Sequence, residues 1–255
     1  MVSSLSAASR AWLLVAIAAS ALSPAVPARA ATVPDLVAQA DRLVDADVSV
    51  QALQDAAALY QQALQQDPGV APIQIKLAWV ALRIGDGVSG DPLPWFDLGE
   101  QAAGRALAQD EASADAHFLF AAHRGQIAKR RLASPAIVGE LETHLLCALA
   151  IDPHHARAQH MMGVLLRDTP FLLRGYLKGS KSDVPRYLTG AVEADPNFAQ
   201  ARLDLAEYYR SAGRIADARA QAQAVLDMTH PTWPRPWREK QRPAAEAFLK
   251  TLPAR

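Results

Sequence analysis

The sequence repeats a helix stop at a nearly constant interval, and this regularity constrains the fold more than any other feature. Four helix-like stretches end in Asp-Pro or Asp-Glu, and their last residues fall 43, 42 and 43 positions apart. Proline cannot continue a helix and disfavours the helical conformation of the residue before it, so each stop closes one unit. A unit of this size cannot bury its apolar face alone, which predicts a stack of units. The four stretches read AALYQQALQQDP (57–68), GEQAAGRALAQDE (99–111), LETHLLCALAIDP (141–153) and VPRYLTGAVEADP (184–196).

A second helical stretch follows each stop, and inside it a small residue comes directly after a large apolar one. The small residue allows a neighbouring helix to approach closely, while the large side chain fills the groove beside it. Composition favours the same interpretation, because the chain is rich in alanine and only 6% aromatic, which suits packed helices better than sheets. The pairs are Leu77-Ala78, Phe120-Ala121, Met162-Gly163 and Leu205-Ala206.

This arrangement resembles the tetratricopeptide (TPR) repeat, a helix–turn–helix unit of about 34 residues. The resemblance covers most of residues 35–230 and is carried by the units together rather than by any one of them. It implies an α-solenoid in which the first helix of each unit lines a concave binding face. The best-matching unit spans 199–230, with Leu205, Ala206, Tyr209, Gly213 and Ala218 in register.

The units exceed that consensus length, and their extra residues lie between the two helices of a unit. Inserts at equivalent places should project from one end of a solenoid. We therefore predict an all-α, TPR-like solenoid of about five helix pairs, with long loops inside the repeats and a C-terminal capping helix. The inserts are 87–96, 129–137 and 168–180, and the capping helix is expected over 236–252.

The layout of long-loop helix pairs that end in a regular pair also resembles two families of helical solenoids. These are the T component associated with TRAP transporters of bacteria and the regulator-of-microtubule-dynamics proteins of eukaryotes. The segments that carry the likeness are SADAHF (113–118), TPFLLRG (169–175) and LAEYYRSAGR (205–214). This resemblance implies a ligand-binding or complex-forming role in transport, and it transfers no catalytic residue.

Residues 1–30 have the organisation of a secretory signal peptide. Arg10 precedes an apolar run at 11–22, and two prolines and an Ala-Arg-Ala motif follow that run. The run is shorter than the roughly 20 apolar residues that span a bilayer, and no later run approaches that length. We therefore predict cleavage after Ala30, export to the periplasm, a single TPR-like domain at 31–255, and no membrane span in the mature chain.

Composition and motifs argue against several function classes. The 26 basic residues balance the 26 acidic ones, which argues against a nucleic-acid partner. The single cysteine, Cys147, excludes an internal disulfide framework and a cysteine-based metal cluster. The sequence contains no phosphate-binding loop, nucleophile elbow or HExxH metal motif, and Glu140 and Glu142 are expected to lie in solvent. We therefore predict no enzyme activity, no cofactor and no metal site.

The inner positions of the first helices form the candidate binding face. These positions are assigned by the resemblance to the TPR repeat. They combine aromatic side chains with arginines, whose planar guanidinium group suits a carboxylate. A solvated surface that happens to carry arginines is the alternative. We predict a transport-associated binding or scaffold protein whose groove holds a segment of a partner protein or a small carboxylate ligand. The groove residues are Trp79, Arg83, Phe118, Arg157, His160, Arg167, Glu207 and Arg210.

Two of the inserts carry large apolar side chains. Trp95 and Phe96 follow prolines in the first insert and are expected to plug the solenoid. The third insert places apolar residues at 171–173 beside Arg174, so it packs either on its own solenoid or on an anionic membrane surface. The second option corresponds to an alternative function, a structural protein that assembles at the membrane surface through its inserts.

Overall fold

The computed structural model describes residues 31–46, 49–131 and 134–253. Every regular element in these ranges is helical, and no strand occurs among them. The predicted signal peptide lies outside the described residues. The longer helices are α1 (Val33–Ala46), α2 (Val50–Gln66), α3 (Ala71–Gly87), α4 (Leu93–Gln109), α5 (Ala114–Ala128), α6 (Ile137–Ile151), α7 (Ala156–Asp168), α8 (Val184–Ala194), α9 (Ala199–Ser211) and α10 (Ile215–Leu226).

These helices form consecutive antiparallel pairs, from α1 with α2 to α9 with α10, and each helix packs mainly against its neighbours along the chain. Small residues lie at the helix contacts, where Ala78, Ala121 and Ala206 are completely buried. At Gly163 an added Cβ atom would lie only 2.7 Å from Cδ2 of Leu188, so α7 and α8 approach closely there. The predicted all-α, TPR-like solenoid is therefore confirmed.

The acidic stops end the second helix of each of the first four pairs by the same two hydrogen bonds. The backbone N–H of each stop aspartate donates to an alanine carbonyl one turn earlier, which closes the helix. The aspartate carboxylate accepts a hydrogen bond from the backbone N–H two residues later, which holds the turn into the next helix. The same turn at each stop explains the regular spacing of the sequence motif. These aspartates are Asp67, Asp110, Asp152 and Asp195.

The first two inserts contact each other and contribute to the packing of the solenoid. Phe96 is completely buried, as expected of a residue that plugs the stack, and its ring lies 6.0 Å from that of His123. Arg131, at the start of the second insert, pairs with Asp97 beside the first insert at 2.7 Å. The first two inserts therefore lie next to one another on the solenoid.

The third insert is anchored by a buried carboxylate. Glu142 of α6 is only 2% exposed, and it accepts hydrogen bonds from the backbone N–H groups of Lys178 and Gly179 at 2.6 and 2.7 Å. The expectation that Glu142 lies in solvent is wrong, because these two donors satisfy its charge where the insert excludes water. The insert contains a short 3-10 helix, Phe171–Tyr176, and a second one, Lys181–Asp183, follows the insert directly before α8.

The expected C-terminal capping helix is interrupted. The chain passes through a helical turn, α11 (Pro234–Pro236), and a π-helical segment (Trp237–Gln241) into α12 (Arg242–Thr251), which packs on α10. The segment also reaches earlier units, since Thr232 Oγ1 donates to Asp195 at 2.8 Å and Lys240 Nζ donates to the carbonyl oxygen of Asp86 at 2.8 Å. The chain after α10 therefore joins the end of the solenoid to its second helix pair.

Candidate binding site on the inner face

Four aromatic rings form a continuous row beside the guanidinium of Arg157. The ring centres of Trp79 and Phe118 are 5.3 Å apart, those of Trp79 and Trp233 are 6.5 Å apart, and those of Trp233 and Phe198 are 5.6 Å apart. The guanidinium carbon of Arg157 lies 4.7 Å from the ring centre of Trp79 and 5.0 Å from that of Trp233. Both distances are typical of cation–π contacts. We call these five residues the aromatic chamber.

Successive units supply the residues of the chamber, one after another. Trp79 belongs to α3, Phe118 to α5 and Arg157 to the first turn of α7, while Phe198 immediately precedes α9. Trp233 comes from the C-terminal segment, just before α11. The chamber therefore exists only when several units are stacked and the C-terminal segment lies against them.

Arg157 is the unusual member of the chamber. Within the described ranges, its buried Nε has no hydrogen-bond partner and no carboxylate pairs with its guanidinium. Burial lowers the pKa of Arg157, and the negative charges of Asp195 and Asp115 only partly offset this effect. Because an arginine stays protonated in a protein, the chamber holds a positive charge, and the Nε–H donor of that charge is unused among the described residues.

A cavity of about 450 Å³ adjoins the chamber, and its acidic residues have partners of their own. Asp41 accepts hydrogen bonds from Tyr60 at 2.5 Å and from Lys76 at 2.7 Å. Burial raises the pKa of Asp41, but these two partners hold it below its usual value. Asp115 lies 3.1 Å from Nε2 of His155, and this hydrogen bond lowers the pKa of its carboxyl. The lining residues are Asp41, Val44, Asp45, Tyr60, Lys76, Trp79, Val80, Arg83, Asp115, Arg157 and Trp233.

The last turn of α7 shows the opposite arrangement around Arg167. This arginine donates to Asp168 at 2.7 Å and to Asp204 at 2.8 Å. Asp204 is also 2.9 Å from Nε2 of His160 and accepts from Gln200 at 2.9 Å. Burial alone would raise the pKa of Asp204, but these donors hold it well below its usual range. We call Asp204, His160, Arg167 and Gln200 the Asp204 cluster, an internal ion-pair network.

The remaining predicted groove residues, Glu207 and Arg210, pair with each other. Arg210 also lies 5.2 Å from the ring centre of Phe248 and donates to Thr251 Oγ1 at 3.3 Å, so it ties α9 to the capping helix. The eight predicted residues thus fall into three groups. Trp79, Arg83, Phe118 and Arg157 lie at the chamber and its cavity, His160 and Arg167 in the Asp204 cluster, and Glu207 and Arg210 at the capping helix.

Two residues of the chamber were not anticipated from the sequence. Phe198 follows an acidic stop and precedes its helix, outside the positions that the repeat assigns to the inner face. Trp233 lies between prolines in the segment THPTWPRP, after the last repeat. A tryptophan between prolines is a usable signal, because a large aromatic side chain on a rigid segment needs a surface to pack against.

A second cavity, of about 700 Å³, is lined in part by His117, His144 and Cys147. The Nδ1 atoms of the two histidines lie 3.0 Å apart, so one ring donates a hydrogen bond to the other. Among the described residues, no group of three or more His, Cys, Asp or Glu side chains is placed to hold a metal ion. In the same residues, no helix combines the length and the apolar character that crossing a membrane requires.

Comparisons with known proteins identify the fold. No family model and no curated protein matches the sequence. The solved structure of TTC0263, a thermophilic TPR protein of Thermus thermophilus, is similar with a TM-score of 0.63 and 16% identity, over 86% of this chain and 100% of that chain. PilW, a widely conserved type IV pilus biogenesis factor, is similar with a TM-score of 0.52 and 19% identity, over 76% of each chain. This chain therefore has the fold of a tetratricopeptide-repeat protein.

Proposed function

We propose that this protein is an exported binding scaffold that holds a carboxylate-bearing segment of a partner protein in the aromatic chamber. The proposal depends on Arg157, a cation that contacts the rings of Trp79 and Trp233 and has no carboxylate partner among the described residues. The TPR fold supports the scaffold role, because stacked repeats create extended inner surfaces that suit partner segments.

A carboxylate suits this site for two physical reasons. The guanidinium has donors in a planar fork, which matches the two oxygens of a carboxylate. The indoles of Trp79 and Trp233 both contact the cation and exclude water from part of its surface, and a hydrogen bond between charged groups is stronger where the dielectric constant is low. Their contacts also hold the guanidinium in place, so little side-chain entropy is lost when a ligand binds.

The size and charge of the adjoining cavity support a partner segment. A volume of about 450 Å³ is near the lower end of the range for ligand sites, and it accommodates a side chain or a chain terminus. The pairing of Asp41 with Lys76, and of Asp115 with His155, reduces repulsion toward an incoming anion. A small free carboxylate is the alternative ligand, and the association with a transporter stays a prediction from sequence resemblance.

Export is part of the same proposal. Ala28 and Ala30 provide small residues before the expected cleavage site, so we expect the mature protein to begin at Ala31 and to act in the periplasm. N-terminal sequencing of the protein from a periplasmic fraction measures this directly. A full-length chain in the membrane fraction would contradict it.

The test of the binding role uses an array of peptides, each made with a C-terminal carboxylate and again with a carboxamide. We expect residues 31–255 to retain the carboxylate forms of particular peptides, and Arg157→Gln to bind these about tenfold or more weakly. Arg167→Gln is the matched control, because the carboxylate partners of Arg167 belong to the protein itself. It should retain the same peptides as the unmodified protein, provided that circular dichroism shows an intact helical fold.

Two outcomes would overturn this proposal. Unchanged peptide binding by Arg157→Gln would move the site away from the chamber. Binding of succinate by the protein, lost in Arg157→Gln and without retention of any peptide, would show that the ligand is a small carboxylate and not a partner segment.

A further inference from the structure

The third insert exposes a patch of apolar side chains. Four large hydrophobic residues are exposed in the described part of the chain, and three of them lie in the 3-10 helix Phe171–Tyr176. Phe171 is 80% exposed, Leu172 is 86% exposed and Tyr176 is 49% exposed. Single exposed apolar residues are common in proteins, but a cluster on one short element indicates a surface for interaction.

This exposed helix is held in place by hydrogen bonds on both sides. On the side toward α7, Thr169 Oγ1 donates to the carbonyl of Leu165 at 2.6 Å, and Arg174 Nε donates to the carbonyl of Thr169 at 3.3 Å. On the other side, the buried carboxylate of Glu142 accepts the two backbone N–H groups at 178–179. The fold therefore fixes the insert while it leaves the apolar side chains in solvent.

The charges around the patch are positive. The segment 169–182 contains three basic residues and no acidic one. Within the described ranges, none of the three pairs with a carboxylate. They are Arg174, Lys178 and Lys181.

The acidic groups next to this segment are engaged elsewhere. Asp168 pairs with Arg167, and Asp183 accepts from Ser180 and lies 3.7 Å from Arg186. The patch therefore combines exposed apolar side chains with a local excess of positive charge.

We propose that this tip, formed by Phe171, Leu172 and Tyr176 with the three basic side chains, docks on the surface of an anionic lipid bilayer. Aromatic and aliphatic side chains insert at the level of the lipid headgroups, while lysine and arginine are attracted to anionic lipids. Either attraction alone gives weak binding, and the two together give reversible attachment. The tip lines neither of the two cavities, and its apolar side chains are exposed to contact from outside. This inference is independent of the chamber, since the two share no residue.

The experiment measures how residues 31–255, which form one compact unit, co-sediment with lipid vesicles. We expect binding to vesicles of phosphatidylcholine with about one-third phosphatidylglycerol, and weak binding to phosphatidylcholine alone. The double variant Phe171→Ser/Leu172→Ser should bind the anionic vesicles about tenfold or more weakly. Lys178→Gln/Lys181→Gln should also weaken binding, as should a rise in NaCl to about 0.5 M.

The matched control is Ile151→Ser, which removes the fourth exposed hydrophobic residue, one that lies outside the tip and is 43% exposed. This variant should bind the vesicles as the unmodified protein does. Binding by Phe171→Ser/Leu172→Ser equal to that of the unmodified protein would overturn the proposal, as would no binding to anionic vesicles. Self-association in analytical ultracentrifugation that disappears in the same variant, without vesicle binding, would show instead that the tip docks on a second copy of the chain.

Discussion

The two ends of α7 each carry an arginine, and the two arginines differ in whether a carboxylate pairs with them. Arg157, in the first turn, lies against two indoles and has no carboxylate partner among the described residues, whereas Arg167, in the last turn, pairs with Asp168 and Asp204. The helix dipole adds to this contrast, because it disfavours a cation at the first turn and favours one at the last turn. Arg167 thus stabilises the fold, while Arg157 should contribute little net stability, which is expected of a residue kept for binding.

The largest loss of stability should follow from Asp204→Asn. The substitution keeps the shape of the side chain but leaves Arg167 and His160 beside an uncharged amide, which should reduce the free energy of unfolding by about 3 kcal/mol. Urea denaturation measures this change. Asp217→Asn is the control, because Asp217 pairs with Arg214 on the exposed surface and should leave stability nearly unchanged. Equal losses in the two variants would mean that the Asp204 cluster acts only as a surface ion pair.

Replacing each of the two arginines should give a smaller difference in the free energy of unfolding. Arg167→Gln should lower the free energy of unfolding by about 2 kcal/mol, since it removes three hydrogen bonds between charged groups, two to Asp168 and one to Asp204. Arg157→Gln should change it by no more than about 0.5 kcal/mol, because the loss of ring contacts is offset by removal of a buried Nε without a partner. Thermal and urea denaturation of both variants test the comparison. A larger loss in Arg157→Gln would assign Arg157 to the structural framework.

The smallest expected effect is the change with pH in the stability that the Asp204 cluster gives to the folded protein. The pKa of Asp204 is lower in the folded state than in the unfolded chain, so near pH 4 the unfolded chain binds more protons. The stabilisation is therefore complete above about pH 4 and is lost as the pH falls below it. The difference in unfolding free energy between the unmodified protein and Asp204→Asn should narrow between about pH 7 and about pH 3. A difference that stays constant would contradict the ion-pair assignment, and Arg157→Gln provides the reference without such an effect.

The features that sequence analysis predicted correctly are those set by local chemistry. The acidic stops end helices through hydrogen bonds within a few residues, and they are visible as Asp-Pro or Asp-Glu. The pairs of a large apolar and a small residue also recur from unit to unit, since each small residue packs against a helix that is adjacent along the chain. Helix pairs, their order and the location of the inserts follow from these signals alone.

The roles of individual inner-face residues depend on partners that lie one repeat away. His155 meets Asp115 from 40 residues earlier, and His160 meets Asp204 from 44 residues later. Of the two acids that distinguish Arg167 from Arg157, Asp168 is adjacent in the sequence, but the less exposed one, Asp204, belongs to the next unit and is not visible when the helix is considered alone. Pairs of opposite charge separated by about one repeat length are therefore a signal that sequence analysis can use.

Trp233 was unpredictable for a different reason. It lies after the last repeat, so no periodicity assigns it to the inner face. Its position depends on contacts with Trp79 and Phe198, which are distant in the sequence and meet only after the units have stacked. Likewise, the exposure of Phe171 and Leu172 depends on how Glu142 anchors their insert, which composition does not reveal.

The contacts of the C-terminal segment with the second helix pair have a consequence for how the molecule unfolds. A linear array of repeats frays from its ends, since each unit contacts only its neighbours. Here Lys240 binds the backbone of Asp86 across 154 residues, and the ring of Trp233 contacts that of Trp79. The intervening units thus belong to one large loop, whose closure costs chain entropy and comes late in folding. We expect amide protons in α3 and α9 to exchange at similar rates, as in a single cooperative body, and to become unequal when Trp233 is replaced by alanine.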